Sequence, residues 1–232
     1  MNEHITKQFD IELTNIHTKV LRMGGLVEQQ IRNALIAFEE SDLALADQVI
    51  DMDHAVNRHE VELDEACTHI IARRQPAASD LRTVMMVIKT ITDLERMGDE
   101  AKKIAKKTRS LNGSDTSFTP RVPLQHAATL ALEMLRSALD SFARVDITSA
   151  ANIARQDKEV DAEFKAIMRQ LITFMMEDPR MISACLDVLF IAKSIERIGD
   201  HAKNISEYVI YMAKGADVRH IGIEAIEQEI SR

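Results

Sequence analysis

Leu94-Glu95-Arg96-Met97-Gly98-Asp99-Glu100-Ala101-Lys102-Lys103-Ile104 returns 101 residues later as Ile195-Glu196-Arg197-Ile198-Gly199-Asp200-His201-Ala202-Lys203-Asn204-Ile205. Seven of the eleven positions are identical, so the 232 residues read as two copies of one unit. Each copy sets a Glu and an Asp four residues apart, on a helix face that the flanking apolar residues mark as buried. Carboxylates on such a face require a compensating partner.

Working outward, three long amphipathic helices are legible in each half. The first runs from about Ile5 to Glu40 on a stripe of Leu13, Ile16, Val20, Met23, Val27, Ile31, Ala34 and Phe38. Gly24-Gly25 interrupts it, a weak point at about 1 kcal/mol per glycine that leaves the helix free to bend. Ser41-Asp42 supplies a cap for a second helix reaching about Arg74, with Ala46, Val49, Asp53, Val56, Glu60, Leu63, Cys67 and Ile70 in one seam. Beyond Pro76, the positions Leu81, Val84, Ile88, Ile91 and Glu95 carry a third helix to about Leu111. The second half repeats the pattern. One helix spans about Pro123 to Val145. Another starts near Ile147, with Ala150, Ile153, Asp157, Val160, Phe164, Ile167, Leu171 and Phe174 in its seam, and breaks at Asp178-Pro179. A last helix reaches about Lys214, where Gly215 stops it. The expected fold is all-α: two tandem antiparallel three-helix bundles related by an internal repeat. The domains are residues 1–111, a polar linker over 112–122, residues 123–214, and a tail over 215–232 holding at most a short helix. The spacing also permits one continuous six-helix body.

Composition narrows the function classes. The net charge is -8 and no basic run of five occurs, which has the wrong sign for a nucleic-acid backbone. Aromatic residues are 4% with no Trp, and Leu, Ile, Ala and Met dominate, which favours helices over sheets. Cys67 and Cys185 sit inside apolar segments and read as buried free thiols of a reducing compartment. No stretch approaches the roughly 20 apolar residues of a membrane span, and Met1 to Asp10 lacks a signal-peptide core, so the expected location is cytoplasmic.

Register places the carboxylates. In an antiparallel hairpin, residues equidistant from the turn lie at one height. Asp157 with Asp200, and Asp161 with Glu196, are both centred on the Asp178-Pro179 break. Asp53 with Asp99, and Asn57 with Glu95, are both centred on Pro76. Each bundle is thus expected to bring a Glu-x-x-x-Asp face against an Asp-x-x-x-(Asp/Asn) face. The second cluster carries the higher charge, and Glu28 or Gln29, and Glu133, fall near the same height. Protonation, a cationic partner or a metal ion would offset the repulsion. Oxygen ligands suit Mg, Ca, Mn or Fe rather than a Cys/His zinc site. Against this stands the ordinary reading of Asp99 and Lys103 as a solvated i,i+4 pair. The pairs Lys102-Lys103 and Lys106-Lys107 read as solvated helix ends, and Met85-Met86 and Met175-Met176 as core and interface filler.

No Gly-rich phosphate loop occurs, and no spacing argues for a Ser-His-Asp or Cys-His set. A ferritin-like oxidase would use Glu-x-x-His pairs, and no Glu here has a His three residues on. That ranks an oxidase-type metal bundle below two other readings, a purely structural helical scaffold and a regulatory bundle whose acidic clusters hold metal.

Four segments together resemble the PhoU family of phosphate-signalling and phosphate-transport accessory proteins: Met23-Gly24-Gly25-Leu26-Val27-Glu28, Arg74-Gln75-Pro76-Ala77-Ala78-Ser79-Asp80-Leu81-Arg82, and the two copies of Glu-Arg-x-Gly-Asp. The resemblance covers essentially the whole chain. It implies two similar three-helix bundles and a non-catalytic role as negative regulator of the phosphate-starvation response. The implied partners are the PhoR sensor histidine kinase and the ATPase subunit of the phosphate ABC transporter, with membrane contact only through them and with a homodimer as the common state. It also implies metal at the acidic faces, carried by Asp53, Asn57, Glu95 and Asp99 and by Asp157, Asp161, Glu196 and Asp200, with Fe, Mn, Mg or Zn as the ions in question.

Overall fold

The computed structural model describes residues 2–113, 120, 122–219 and 221–231, with residues 2–6 and 231 described by backbone alone. Seven α-helices follow one another among these residues: α1 (Asn2–Glu40), α2 (Leu43–Arg74), α3 (Ala78–Gly113), α4 (Gln125–Arg144), α5 (Ala150–Glu177), α6 (Ile182–Lys214) and α7 (Ile223–Ser231). The helix ends have local causes. Asp42 accepts the Leu45 amide at 2.9 Å, and Gln75 in the left-handed region closes α2. Pro179 opens a short 3-10 turn, Pro179–Met181, between α5 and α6. Gly215, at φ 72, ends α6. Most of the expected linker, residues 114–119 and 121, lies outside the described residues, and α3 continues through Gly113.

α1, α2 and α3 pack together as one bundle, and α4, α5 and α6 as a second. The predicted seams face inward. Ala46, Val49, Asp53, Val56, Leu63, Cys67 and Ile70 of α2 are all buried, as are Ala150, Ile153, Asp157, Val160, Ile167 and Leu171 of α5. The two bundles share a core that is continuous from α1 to α6, because α3 and α6 lie against each other and α1 also touches α4. A smaller apolar cluster holds α7 on α5 through Ile226, Val218, Ala150 and Ala154. Both cysteines are free and buried, and burial pushes the Cys67 thiol up to about 12. Among the described residues no helix is long and apolar enough to cross a membrane.

α1 runs through Gly24-Gly25 as one helix, and Gly24 is a point of close approach: a Cβ there would stand 2.6 Å from Leu139 Cδ2 of α4. Two expectations are corrected. Met176 is not core filler, since 79% of it is exposed. Lys102 is not a solvated helix end, and its place is described below.

The two motif glycines differ in surroundings. A Cβ on Gly98 would lie 3.1 Å from Gln30 Oε1 and 3.3 Å from Val56 Cγ1, both on fully buried residues with no room to yield. On Gly199 the nearest atoms, from Met134 and Val160, are at an ordinary 3.6 Å. Gly199→Ala is therefore expected to stabilise the protein by about 0.5–1 kcal/mol through helix propensity. Gly98→Ala is expected to destabilise it by about 1–2 kcal/mol through overpacking. Urea unfolding of the two variants beside the parent distinguishes the signs.

Candidate functional site

In the first bundle, α2 and α3 bring Asp53, Asn57, Glu95 and Asp99 to one level, and a lysine is already among them. Asp53 is 1% exposed. Its Oδ2 accepts Lys102 Nζ at 2.5 Å and Asn57 Nδ2 at 3.3 Å. The hydrogen bond to Asp53 holds Lys102 above the usual lysine range. Arg96 approaches Glu95 at 3.5 Å and Asp99 at 3.9 Å. Burial, with the charges of Asp99 and Asp53 behind it, raises Glu95. Asp53 Oδ1 and Asn57 Oδ1 are buried with no hydrogen-bond donor. The expected Asp99–Lys103 pair does not form as read: Lys103 donates to Glu100 at 2.9 Å, and Lys102 turns inward instead.

The second bundle repeats the device. Lys203 Nζ donates to Asp157 Oδ2 at 2.8 Å, and Asp157 is 7% exposed. Lys193 Nζ donates to Glu196 Oε1 at 2.6 Å and lies 2.5 Å from Oε2 as an ion-pair contact. Asp200 is pushed up to about 6, first by burial around its carboxyl and then by the like charges of Glu196, Asp157 and Asp161. The residue as a whole keeps more than a third of its surface in water, so the repulsion among the four acids is the firmer part of that cause. Among the described residues, no three Asp, Glu, His or Cys side chains are grouped as a metal ion would require. The acceptor set is nonetheless one that suits a hard cation: all-oxygen, with three buried oxygens, at Asp53, Asn57 and Glu196, that accept no hydrogen bond.

The helix before each pair contributes differently from the expectation. Glu28 accepts Arg32 at 2.8 Å and Arg136 of α4 at 2.7 Å, Gln29 donates to Asn33, and Glu133 is exposed. Gln30 is the α1 residue that enters, donating to the Val49 carbonyl at 3.2 Å. Glu60 also belongs to the first cluster: burial, then the charges of Glu95, Asp64 and Asp99, raises it. Its place in the α2 seam was the signal for it, and Phe164 takes that seam position in α5.

A second polar system, between α3 and α6, has no local sequence signature. Asp93 Oδ1 accepts His201 Nδ1 at 2.6 Å and Asn204 Nδ2 at 3.2 Å. Glu100 accepts Ser194 Oγ at 2.8 Å and pairs with Arg197 Nε at 3.2 Å. Asp187 accepts Lys107 Nζ and Ser110 Oγ, both at 2.7 Å. The helices run antiparallel, and exchanging the two copies carries the Asp93–His201 contact onto the Ser194–Glu100 contact.

Two predictions follow from the buried charges. Lys102→Met leaves Asp53 without its cation, and a loss of about 3–5 kcal/mol is expected. Asp53→Asn in the same chain should restore most of it, and Lys203→Met should lose less, because Asp157 is less buried; denaturant midpoints of the four proteins provide the check. Glu207, 8% exposed, is pushed up to about 7 by burial. Between about pH 4.5 and 7 the folded chain holds this proton more tightly than the unfolded chain, so its contribution to stability falls as pH rises. Glu207→Gln should therefore raise stability at pH 8, by on the order of 1–3 kcal/mol, and leave it unchanged near pH 4; a pH series of urea midpoints reads the difference.

The chain matches the PhoU domain over residues 20–108 and again over 124–209, one match to each bundle. It is 48% identical, over 98% of its own length and 94% of the relative's, to the phosphate-specific transport system accessory protein PhoU of Escherichia coli (strain K12). It is 46% identical, over 99% of its length and 90% of the relative's, to the corresponding homolog of Pseudomonas putida. The crystal structure of PhoU from Pseudomonas aeruginosa superposes with a TM-score of 0.86 at 45% identity, over 90% of this chain and all of that one. The crystal structure of the phosphate transport system regulatory protein PhoU from Streptococcus pneumoniae gives 0.83 at 30% identity, over 90% of this chain and 99% of that one. With two matched stretches, near-complete coverage and the same helical architecture, the chain belongs to the PhoU domain family.

Proposed function

We propose that this protein is a non-catalytic cytoplasmic regulator of phosphate homeostasis that restrains the phosphate-starvation response. It couples the ATPase subunit of the phosphate-specific ABC transporter to the PhoR sensor histidine kinase and acts as a homodimer. The observation that carries the reading is the whole-length identity to accessory proteins of the phosphate-specific transport system. The geometry agrees with an adaptor: long rigid helices locked by buried ion pairs hold an extended surface in one shape. Deleting the gene in its host and measuring phosphate uptake and alkaline phosphatase in high phosphate tests it. Derepressed phosphatase is the expected result, and phosphatase that stays repressed rejects the negative-regulator role.

The acidic clusters are read as cation sites of that regulator. Asp53, Asn57, Glu95 and Asp99 would hold one ion, and Asp157, Asp161, Glu196 and Asp200 another. A bound cation would fix the packing of the helices that carry them. Lys102 and Lys203 now occupy oxygens of the same sites, so lysine and metal compete for them. Elemental analysis of purified protein is expected to show metal that rises in Lys203→Gln and is lost on replacing Asp157, Asp161, Glu196 and Asp200 by Asn or Gln. Equal metal content in that quadruple variant and the parent dismisses the second site.

A further inference from the structure

One cavity has an internal control, because the repeat supplies the same place twice. At one end of the α3–α6 contact, a cavity of about 500 Å3 lies between the first half of α3, the last half of α6 and the chain just after α6. Three cations, Arg82, Lys89 and Arg219, face two carboxylates, Glu207 and Asp217. Arg219 and Asp217 satisfy each other, through Nε at 2.9 Å and Nη2 at 2.5 Å. Arg82 and Lys89 form no ion pair among the described residues, and Arg82 Nε is buried without an acceptor. Lys89 Nζ stands 5.5 Å over the Tyr208 ring. The Arg82 guanidinium lies across Gly215, where a Cβ would be 2.9 Å from Nη1. Its place therefore depends on the same left-handed glycine that ends α6.

Exchanging the copies carries Lys89 and Tyr208 onto Phe190 and Lys107. There too a lysine lies over a ring, at 4.7 Å. At that end, however, Asp187 closes the charge by accepting Lys107 and Ser110. The position equivalent to Asp187 is Met86, which is 4% exposed and apolar. One end of the contact is thus neutralised from within. At the other, Arg82 and Lys89 outnumber the one carboxylate not paired with Arg219, Glu207, and form no ion pair with it among the described residues. A cavity of this volume lies in the range of small-molecule sites and far exceeds a bare oxyanion. Two unpaired cations, one with a planar fork of donors, match a doubly charged phosphate head. The exposed flank of Met85 beside Tyr211 offers an apolar wall to the remainder of the ligand.

We propose that this cavity binds a small organic phosphate, with its head on Arg82 and Lys89 and a ring against Tyr211 and Met85. Titration calorimetry with adenosine monophosphate on the full chain at 0.1 M salt tests it. Saturable binding is expected, weakened about tenfold or more in Arg82→Gln and in Lys89→Gln, and unchanged in Lys107→Gln at the mirrored end. Circular dichroism melts confirm that each variant is folded. Three results would overturn the proposal: no saturable binding, equal affinity in the Arg82 and Lys89 variants, or inorganic phosphate or benzoate binding as tightly as the nucleotide. The readout is binding to the purified chain, so its failure leaves the transport-regulator reading untouched.

Discussion

The pairing of two buried α3 carboxylates, Asp93 and Glu100, with donors from α6 is the constraint on which the rest of the structure depends. Each is nearly removed from water, at 7% and 2% exposure, and an unpaired charge there would cost several kcal/mol. His201, Asn204, Ser194 and Arg197 meet them across the join. The repeat makes this a demanding arrangement. Asp93 and Ser194 are equivalent positions, as are Glu100 and His201. Two copies of the α3 residues would bring acids together, and two copies of the α6 residues would bring donors together. The join closes because α3 carries both acids and α6 the donors.

The other face of the same two helices obeys the opposite rule. There the copies have kept the same device, because each bundle must neutralise its own seam aspartate. Lys102 reaches Asp53 and Lys203 reaches Asp157. The sequence separation is 49 residues in the first case and 46 in the second, so the hairpins differ by three residues in length. That is close to one helical turn, and it is taken up between the seam and the α2–α3 or α5–α6 connection. Both lysines therefore still arrive at the height of their aspartates. A duplicated helix with one face held constant and the other made complementary explains why Glu-Arg-x-Gly-Asp survives in both copies while its immediate neighbours differ.

This division also explains what was legible in the sequence. Helix number, seams and ends were readable, because apolar spacing and residues such as Asp42, Pro179 and Gly215 act within one helix. The acids of each cluster were readable because a hairpin ties height to distance from its turn. The choice between Lys102 and Lys103 was not. Spacing along α3 favours the local Asp99–Lys103 pair, whereas a buried aspartate on α2 outweighs a half-solvated one. Nor was Gln30 in place of Glu28 readable, since Arg136 of α4, 108 residues away, draws Glu28 outward. The α3–α6 contacts join residues 77 to 111 apart, and no periodicity reports on them. Their trace was the unlike pairs between copies, Glu100 against His201 and Lys103 against Asn204, inside a motif whose other positions are identical or apolar in both.

Mismatch between copies is therefore the feature to follow further along α3 and α6. Where the repeat is constant, as at Lys102 and Lys203, the residues serve each bundle separately, with Arg197 the exception that also reaches Glu100 across the join. Where it alternates acid with donor, they serve the join. At the two ends of the join neither pattern holds. Lys107 is neutralised by Asp187 at one end, and Met86 stands in the acid's place at the other. α7 adds to this inequality by packing on α5, with Arg155 paired to Glu227, and by taking Lys214 at the end of α6 onto its Glu229 and Ile230 carbonyls. The duplication thus built a nearly symmetric frame with two unlike ends. Any molecule that reads this surface meets them as different sites, and the charge left open at Arg82 and Lys89 belongs to only one of them.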